Sequence, residues 1–192
     1  MQGKLILVVG PTGSGKSALL DFLQEREPSI IFPISCTTRT MRPGEREGEK
    51  YFFISKEEFE KREAAGEFLE WASYGGNYYG TLKSEILPKL AEGKLVVREV
   101  EVQGARQIKK LIPKENLSIV FVDAGSWENL ERRILARAPM SEVELLARRK
   151  RYEDELTFKD EADHIITNHD GELEKAKKAF IEAVRELAKG VV

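Results

Sequence analysis

Eight consecutive residues near the start of the chain have the types and spacing of a phosphate-binding loop. They fit the pattern GxxxxGK[ST] at every fixed position, and they are Gly10, Pro11, Thr12, Gly13, Ser14, Gly15, Lys16 and Ser17. The glycines let backbone N–H groups converge on one concavity, where Lys16 adds a positive charge and the Ser17 hydroxyl is placed to hold Mg²⁺. We therefore expect all eight residues to take part in binding a nucleoside triphosphate.

The segments on either side of this loop are the ones that the motif requires. Residues 5–9 are all apolar and predict a short buried strand, and an apolar-periodic helix begins at Ala18. A glycine-rich turn that binds nothing is the alternative, but such a turn does not need a lysine, a hydroxyl and a following helix N-terminus. The motif predicts that a triphosphate binds and leaves open what is done with it.

Length, charge and cysteine content restrict the remaining possibilities. The 192 residues suit one domain, and a net charge of −2 gives no general attraction for nucleic acid or membranes. The single cysteine, Cys36, excludes an intramolecular disulfide framework and offers no metal cluster. No apolar run is long enough to span a membrane and no signal peptide is visible, so we expect a cytoplasmic protein that binds neither nucleic acid nor membrane.

Apolar runs with strand character alternate with helical patterns along most of the chain. Besides the first strand, short strands are predicted at 30–32, 68–72, 94–102, 117–122 and 164–167. This alternation predicts an α/β fold with a parallel sheet, helices on both of its faces, and phosphate bound at the carboxyl ends of the strands. Two excursions, about 34–83 and about 127–155, interrupt this core.

The first excursion carries side chains suited to binding an anion. Arg39 and Arg42 lie close to a predicted turn, and two neighbouring arginines suit bidentate capture of a phosphate, although a solvated loop has the same composition. Glu70 is an acid among large apolar residues, so it lies either at an exposed edge or where it accepts hydrogen bonds. Residues 74–81, with three tyrosines, predict a turn.

Carboxylates and arginines mark two further places. Glu99 and Glu101 share one face of the predicted strand 94–102, and at its carboxyl end beside the loop they are placed to orient Mg²⁺. A solvated strand end is the alternative. The second excursion predicts two arginine-rich helices joined near Pro139, which suit a mobile flap, although arginines on helix faces are often merely solvated.

Taken together, these segments resemble the guanylate kinases over nearly the whole chain. The matching pieces, in order, are GPTGSGKS, SCTTRTMRPGEREGEKYFF, GEFLEW, the YGT at 79–81, the VQGA at 102–105, Arg133 with Arg137, Arg148, and residues 163–168. The resemblance implies the P-loop nucleoside monophosphate kinase fold of the α/β class, with a core made of 1–33, 84–126 and 156–192. It also implies that 34–83 binds GMP and that 127–155 is a lid that closes over ATP.

The resemblance implies a role for each matching residue. The GMP phosphate would be held by Arg39, Arg42, Tyr51 and Tyr79. The guanine base would be read by Glu70 at its N1–H and 2-amino groups, by Ser35 and Thr81 on its O6 side, and by Glu101. The transferring phosphate would be surrounded by Lys16, Arg39, Arg137 and Arg148. ATP would also meet Arg133 and Asn168, and Mg²⁺ would be held by Ser17 and Glu99.

The implied reaction is transfer of the ATP γ-phosphate to GMP or dGMP by in-line displacement with Mg²⁺, giving ADP and GDP, in a monomer or weak homo-oligomer. Two other functions remain open: a guanylate-kinase-like module that binds phosphopeptides, and a related kinase acting on a sugar bisphosphate. Such modules typically have a degraded P-loop, whereas Lys16 and Ser17 are present here, and the complete set of GMP-binding residues argues against the sugar kinase.

The chain also departs from the family pattern next to the VQGA segment. Glu99 and Glu101 stand where aspartates are usual, so each carboxylate is one methylene further from the backbone. Arg98 stands where the family usually has an apolar residue, and its role does not follow from the sequence.

Overall fold

Strands and helices alternate in this computed structural model, which describes residues 2–137 and 139–190 without the side chain of Arg137. In chain order the elements are β1 (Lys4–Val9), α1 (Lys16–Arg26), β2 (Ser35–Thr37), β3 (Tyr51–Phe53), α2 (Lys56–Ala64), β4 (Phe68–Tyr74), β5 (Asn77–Leu82), α3 (Lys83–Ala91), β6 (Leu95–Glu99), α4 (Val102–Ile108), β7 (Leu117–Asp123), α5 (Trp127–Arg137), α6 (Glu142–Leu156), β8 (His164–Thr167) and α7 (Leu173–Leu187). Within the described part of the chain, no helix has the length and apolar character needed to cross a lipid bilayer.

Four parallel strands form the central sheet, in the order β6-β1-β7-β8. Strand β1 lies inside this sheet, and residues 5–9 are fully buried because helices cover both faces. Leu5 and Leu7 pack with apolar residues of α3 and α4, whereas Ile6 and Val8 pack with those of α1 and α7. Burial on both faces explains why this strand is a continuous apolar run, and the predicted parallel α/β core is confirmed.

The strand predicted at 30–32 is wrong. Only Ile31 pairs with the sheet, in an isolated bridge to Val96. Its N–H donates to the Leu95 carbonyl, but the ladder cannot extend because Pro33, two residues later, has no N–H to donate. Residues 30–32 therefore contribute a single bridge at the edge of the sheet and do not form a strand.

The strand predicted at 94–102 is shorter than expected. Strand β6 ends at Glu99, and Val102 already begins α4. Glu101 occupies the N-cap position of that helix, so Glu99 and Glu101 do not share a strand face as predicted. Their carboxylates consequently enter different surroundings.

The first excursion folds as a second sheet of four strands, in the order β3-β2-β5-β4. Strands β2 and β3 are parallel, and the other two pairings are antiparallel. Its own apolar core lies under α2, where the Phe59 ring stacks on Phe68 with centroids 4.3 Å apart and packs with Cys36 and Leu82. The excursion therefore buries a hydrophobic cluster separate from those of the central sheet.

The turn predicted over 74–81 is mostly strand. Gly75 and Gly76 alone make the turn, with φ of 57° and 77°, and the hairpin continues directly into β5. Two successive residues with positive φ are what a two-residue hairpin turn needs, and glycine adopts them without strain. The tyrosines at 78 and 79 are therefore strand residues with their side chains on opposite faces.

The second excursion is held to the core through residues near both of its ends. Trp127 and Leu130 of α5 are buried together with Ala124, and Tyr152 of α6 donates from its hydroxyl to the Gly125 carbonyl at 2.8 Å. Ser141 caps helix α6 with a reciprocal capping box, yet none of the residues of α6 is fully buried. The fold thus anchors the start of α5 and, through Tyr152, one point of α6, whose other residues pack loosely.

Candidate active site

The glycine-rich loop is tightly enclosed between β7 and the segment that follows β8. Gly10, Gly13 and Gly15 all have positive φ, of 145°, 91° and 97°. A Cβ on Gly10 would lie 2.5 Å from the Val122 carbonyl oxygen, and one on Gly15 would overlap the Asn168 amide. Glycine is required at both positions for conformation and for space, so the loop is shaped by its neighbours as well as by its own sequence.

Lys16 and Ser17 meet the carboxylate of Glu99 at the mouth of this loop. The Lys16 ammonium donates to the carbonyls of Gly10 at 2.6 Å and Pro11 at 3.0 Å, and it lies 3.6 Å from Glu99 Oε1. The Ser17 hydroxyl donates to Glu99 Oε2 at 3.4 Å. A hydroxyl beside a carboxylate is a pair of hard oxygen donors, which is the protein contribution that Mg²⁺ accepts alongside substrate phosphates.

Three of the four predicted base-reading residues lie together at the floor of the first excursion, and the fourth, Glu101, lies at the N-cap of α4. Thr81 donates from its hydroxyl to Glu70 Oε1 at 2.6 Å, and the Ser35 hydroxyl lies 3.4 Å from that of Thr81. All three side chains are buried. Burial raises the pKa of the Glu70 carboxyl, and the positive charge of Arg98 opposes this rise.

Helix α4 of the core closes this pocket from the other side. A Cβ on Gly104 would lie 2.7 Å from Glu70 Oε2, so a side chain at this position would displace the carboxylate. Three residues on, the Gln107 side chain accepts from the Trp71 N–H at 3.2 Å and donates to the Trp71 carbonyl at 2.8 Å. The glycine of the VQGA segment and the glutamine after it therefore join the excursion to the core. Sequence reasoning did not assign either role.

Arg39 is held by a carboxylate that the sequence interpretation missed. Its guanidinium donates to both oxygens of Glu45, at 2.9 and 2.8 Å, and lies 5.5 Å from the ring centroids of Tyr51 and Phe53. The hydrogen bond from Arg39 lowers the pKa of Glu45 to about 2. The signal in the sequence is local, because a glutamate follows the arginine across a Pro-Gly turn.

The other predicted phosphate ligands of the first excursion differ in exposure. The Tyr51 and Tyr79 rings meet edge to face with centroids 6.0 Å apart, so both line the same wall as Arg39. The backbone N–H of Arg42 donates to Glu45 at 2.8 Å, whereas the Arg42 side chain is exposed. The structure therefore brings Arg39, Tyr51 and Tyr79 together and leaves the Arg42 guanidinium in solvent.

Arg133 and Asn168 act as braces of the glycine-rich loop. Asn168 is buried and donates from its side-chain amide to the Ser14 carbonyl at 2.7 Å. Arg133 donates to the Asn168 carbonyl at 2.8 Å and to the Gly13 carbonyl at 3.5 Å. Asp170 accepts from the Arg133 Nε at 2.8 Å and completes the link.

Arg148 of α6 lines the cleft that faces the glycine-rich loop. Pro11 and Thr12 form the opposite wall, and Glu101 and Glu155 also line it. Burial raises the pKa of Glu155 to about 7. Arg137 ends α5, and its predicted catalytic side chain lies outside the described residues.

Comparison with known proteins identifies the family. The family model described as Guanylate kinase matches residues 2–187. The chain belongs to the guanylate kinase family. A curated guanylate kinase from Thermotoga maritima is 41% identical over 185 residues, which cover 96% of this chain and 87% of the relative. One from Trichormus variabilis is 47% identical over 171 residues, covering 89% of this chain and 85% of the relative.

A solved structure agrees with this assignment. The crystal structure of guanylate kinase from Anaplasma phagocytophilum has a TM-score of 0.72 and 26% identity to this chain, and covers 96% of this chain and 85% of its own length. The resemblance noted from the motifs is therefore confirmed, as is the nucleoside monophosphate kinase fold of this guanylate kinase family member.

Proposed function

We propose that the cleft holds the two substrates of a guanylate kinase face to face, with ATP on the glycine-rich loop and GMP against the first excursion. An enzyme of this family transfers the γ-phosphate of ATP to GMP, giving ADP and GDP. The observation that carries the acceptor assignment is Glu70, a carboxylate buried at the floor of a pocket whose wall carries Arg39 and two tyrosines. A nucleotide with its base on Glu70 would place its phosphate towards Arg39.

Glu70 supports guanine as the base because of what a carboxylate can accept. An ionised carboxylate is an acceptor only, and guanine offers two adjacent donors, the N1–H and the 2-amino group. Adenine has no such pair. Thr81 donates to the other side of this carboxylate, so the hydroxyl orients Glu70 towards the base. GMP and dGMP share this donor pair, and both are proposed as substrates.

Phosphoryl transfer in this site needs alignment and charge neutralisation more than a base. The acceptor is a phosphate oxygen of GMP, whose second pKa of about 6 leaves it largely dianionic at neutral pH. Arg39, Tyr51 and Tyr79, with Arg42 drawn in, would fix that phosphate in line with the γ-phosphate. Lys16, Arg137 and Arg148 would neutralise the charge that develops on the transferring group.

The Mg²⁺ requirement is proposed from the donor set at the loop mouth. The Ser17 hydroxyl and the Glu99 carboxylate would hold the ion, which supplies charge neutralisation at the phosphate oxygens when bound. Glu99 reaches Ser17 in this structure, so the methylene that it adds over an aspartate does not prevent contact. Glu101, at the N-cap of α4, would add a carboxylate near the ion from the cleft wall.

The two excursions are proposed to close on the core formed by 1–33, 84–126 and 156–192. The separate hydrophobic cluster under α2 supports movement of 34–83 as a unit. The anchoring of Trp127 and Leu130 confines the moving part of 127–155 to the end of α5 and to α6. Closure would expel water and limit hydrolysis of ATP.

The setting of the enzyme is proposed from its charge. A net charge of −2 supports a cytoplasmic enzyme with no nucleic-acid or membrane partner, acting as a monomer or weak homo-oligomer. The phosphopeptide-binding alternative is not favoured, because Lys16, Ser17 and Glu99 lie in contact at the loop mouth, which supports a phosphate and metal site.

Formation of ADP in a coupled assay should depend on added GMP or dGMP and not on AMP, CMP or UMP.

The variant Glu70→Gln should raise the KM for GMP about 10- to 100-fold, because its amide turns a donor towards the donors of guanine. Glu67→Gln changes an exposed glutamate nearby and is the control. An unchanged preference for GMP over AMP in Glu70→Gln would show that Glu70 does not read the base.

A further inference from the structure

Arg98 projects from the central sheet into the pocket floor of the first excursion. It is the fourth residue of β6 and is partly buried. Its Nε donates to the Thr81 hydroxyl at 3.2 Å, and its Nη2 donates to the Ser35 hydroxyl. An arginine whose donors converge on two residues of the proposed base pocket is placed to take part in the same recognition.

The hydrogen-bond directions leave Arg98 as the main donor on this side of the pocket. Thr81 has a single hydroxyl proton, which it donates to Glu70 at 2.6 Å, while its oxygen accepts from Arg98. Thr81 therefore has no proton left for a base, contrary to the role that the resemblance implies. Ser35 keeps one proton, and Arg98 has five N–H groups of which two are engaged. Among the described residues, none accepts from its Nη1.

These free donors match the remaining edge of guanine. With N1–H and the 2-amino group on Glu70, the neighbouring O6 of the base faces the side where Ser35 and Arg98 lie. O6 and N7 are both acceptors, and an arginine fork donating to the pair is the commonest specific contact with guanine. We propose that Arg98 is a specificity-determining residue that donates to O6 and N7 of the guanine of GMP. This role rests on the proposed base pocket.

The same arrangement would exclude adenine. At the position of O6, adenine carries an amino group, whose hydrogens would face the N–H groups of Arg98. Arg98 thus adds a repulsive contact against AMP to the attractive contact with GMP. It does so from the core, whereas Glu70 reads the other edge from the excursion.

A purely indirect role for Arg98 makes a different prediction. If Arg98 only kept Glu70 ionised and in place, its loss would weaken the contacts that Glu70 makes with N1–H and the 2-amino group. Two analogues separate the cases: 7-deaza-GMP lacks the N7 acceptor, and inosine 5′-monophosphate lacks the 2-amino group. The first analogue reports on Arg98 directly and the second reports on Glu70.

Calorimetric titration of the whole protein with GMP and both analogues tests the proposal. The unmodified protein should bind 7-deaza-GMP about 5- to 20-fold more weakly than GMP. Arg98→Met should weaken GMP binding about 10- to 100-fold and should bind GMP and 7-deaza-GMP equally. The ratio of its Kd for inosine monophosphate to its Kd for GMP should be the same as in the unmodified protein. Arg185→Met removes an arginine on α7 that pairs with Glu27 far from the pocket, and it should behave as the unmodified protein.

Three results would overturn the role of Arg98. The first is equal binding of GMP and 7-deaza-GMP by the unmodified protein. The second is that Arg98→Met still binds 7-deaza-GMP more weakly than GMP, by the same factor as the unmodified protein. The third is that Arg98→Met instead loses its preference for GMP over inosine monophosphate. The first needs no variant, so it decides the matter even if Arg98→Met does not fold in a thermal unfolding control. GMP-dependent ADP formation by the unmodified protein is measured separately, so a failure of this proposal is distinct from a failure of the proposed function.

Discussion

Lys16 and Glu70 are the two side chains with a formal charge that lie buried among the described residues, and they stand at opposite ends of the proposed substrate path. Burying a charge costs stability unless the charge is paired. Lys16 is paired with Glu99 and two carbonyls, and Glu70 with Thr81 and the charge of Arg98. Both side chains can still bind a ligand group. The positive charge of Lys16 suits a phosphate, and the carboxylate of Glu70 suits the hydrogen-bond donors of a base.

Replacement of Lys16 by alanine should lower kcat about 10²- to 10⁴-fold, because its ammonium, which lies against the loop, is proposed to neutralise charge on the transferring phosphate. The Kd for GMP should change by less than about threefold, since the base pocket is untouched. Steady-state kinetics and titration with GMP measure the two quantities. Lys175→Ala, an exposed lysine of α7, is the control. Near-normal turnover in Lys16→Ala would remove Lys16 from the mechanism.

At the scale of elements, the loop between β2 and β3 is organised by one carboxylate. Glu45 binds the Arg39 guanidinium with both oxygens and the Arg42 backbone with one of them. A bidentate pair fixes the plane of the guanidinium, which also lies against the rings of Tyr51 and Phe53. Glu45 therefore positions Arg39, the arginine proposed to contact the GMP phosphate.

Glu45→Gln should raise the KM for GMP about 5- to 30-fold and leave the KM for ATP unchanged, because the neutral amide cannot hold both guanidinium nitrogens. The expected change is smaller in kcat than in KM, since Arg39 is still present. Initial rates over a range of GMP concentrations measure this split. Glu49→Gln, which alters an exposed pair with Arg46, is the matched control. A KM for GMP that stays the same or falls would contradict the positioning role.

At the scale of the whole molecule, Glu155 couples the packing of α6 to pH. Burial raises its pKa to about 7, Glu101 adds to the rise, and Lys16 and Arg151 oppose it. In the unfolded chain the same carboxyl ionises near its ordinary value of 4.5. Between these values the folded state holds one more proton than the unfolded state, so stability falls as pH rises from about 4.5 to about 7.

Glu155→Gln should therefore stabilise the protein at pH 8 by roughly 1 to 3 kcal/mol and have little effect at pH 4.5, where the parent carboxyl is protonated in the folded state and still half protonated in the unfolded state. Urea unfolding at the two pH values measures the difference. Glu153→Gln, an exposed change on the same helix, is the control. Equal effects at both pH values would show that Glu155 is not buried as a neutral acid.

The parts of this molecule that could be predicted from sequence are those determined by local pattern. The apolar run of β1 and the glycine-rich loop after it require a buried strand and a phosphate site wherever they occur. Glu45 could have been found in the same way, because it lies only six positions after Arg39. The second sheet was missed because β2 and β3 have three residues each, too few for a period of two to show.

Arg98 could not be interpreted because its contacts are distant in sequence. It meets Ser35 and Thr81, which are 63 and 17 positions away. Only the pairing of β6 with β1 and the placement of the second sheet against α4 bring these side chains together. A charged residue near the carboxyl end of a core strand cannot be interpreted until the residues that face it in the folded protein are known.

Gln107 and Trp71 bridge two bodies, the central sheet with its helices and the first excursion, and an acceptor nucleotide bound as proposed would be a second link between them. Glu70 belongs to one body and Arg98 to the other, so a base that touches both resists their separation. By thermodynamic reciprocity, the factor by which contact between the two bodies would increase the affinity for GMP equals the factor by which bound GMP would favour that contact. The free energy by which bound GMP would hold the two bodies together and the free energy by which their contact would strengthen GMP binding are then one quantity measured in two ways.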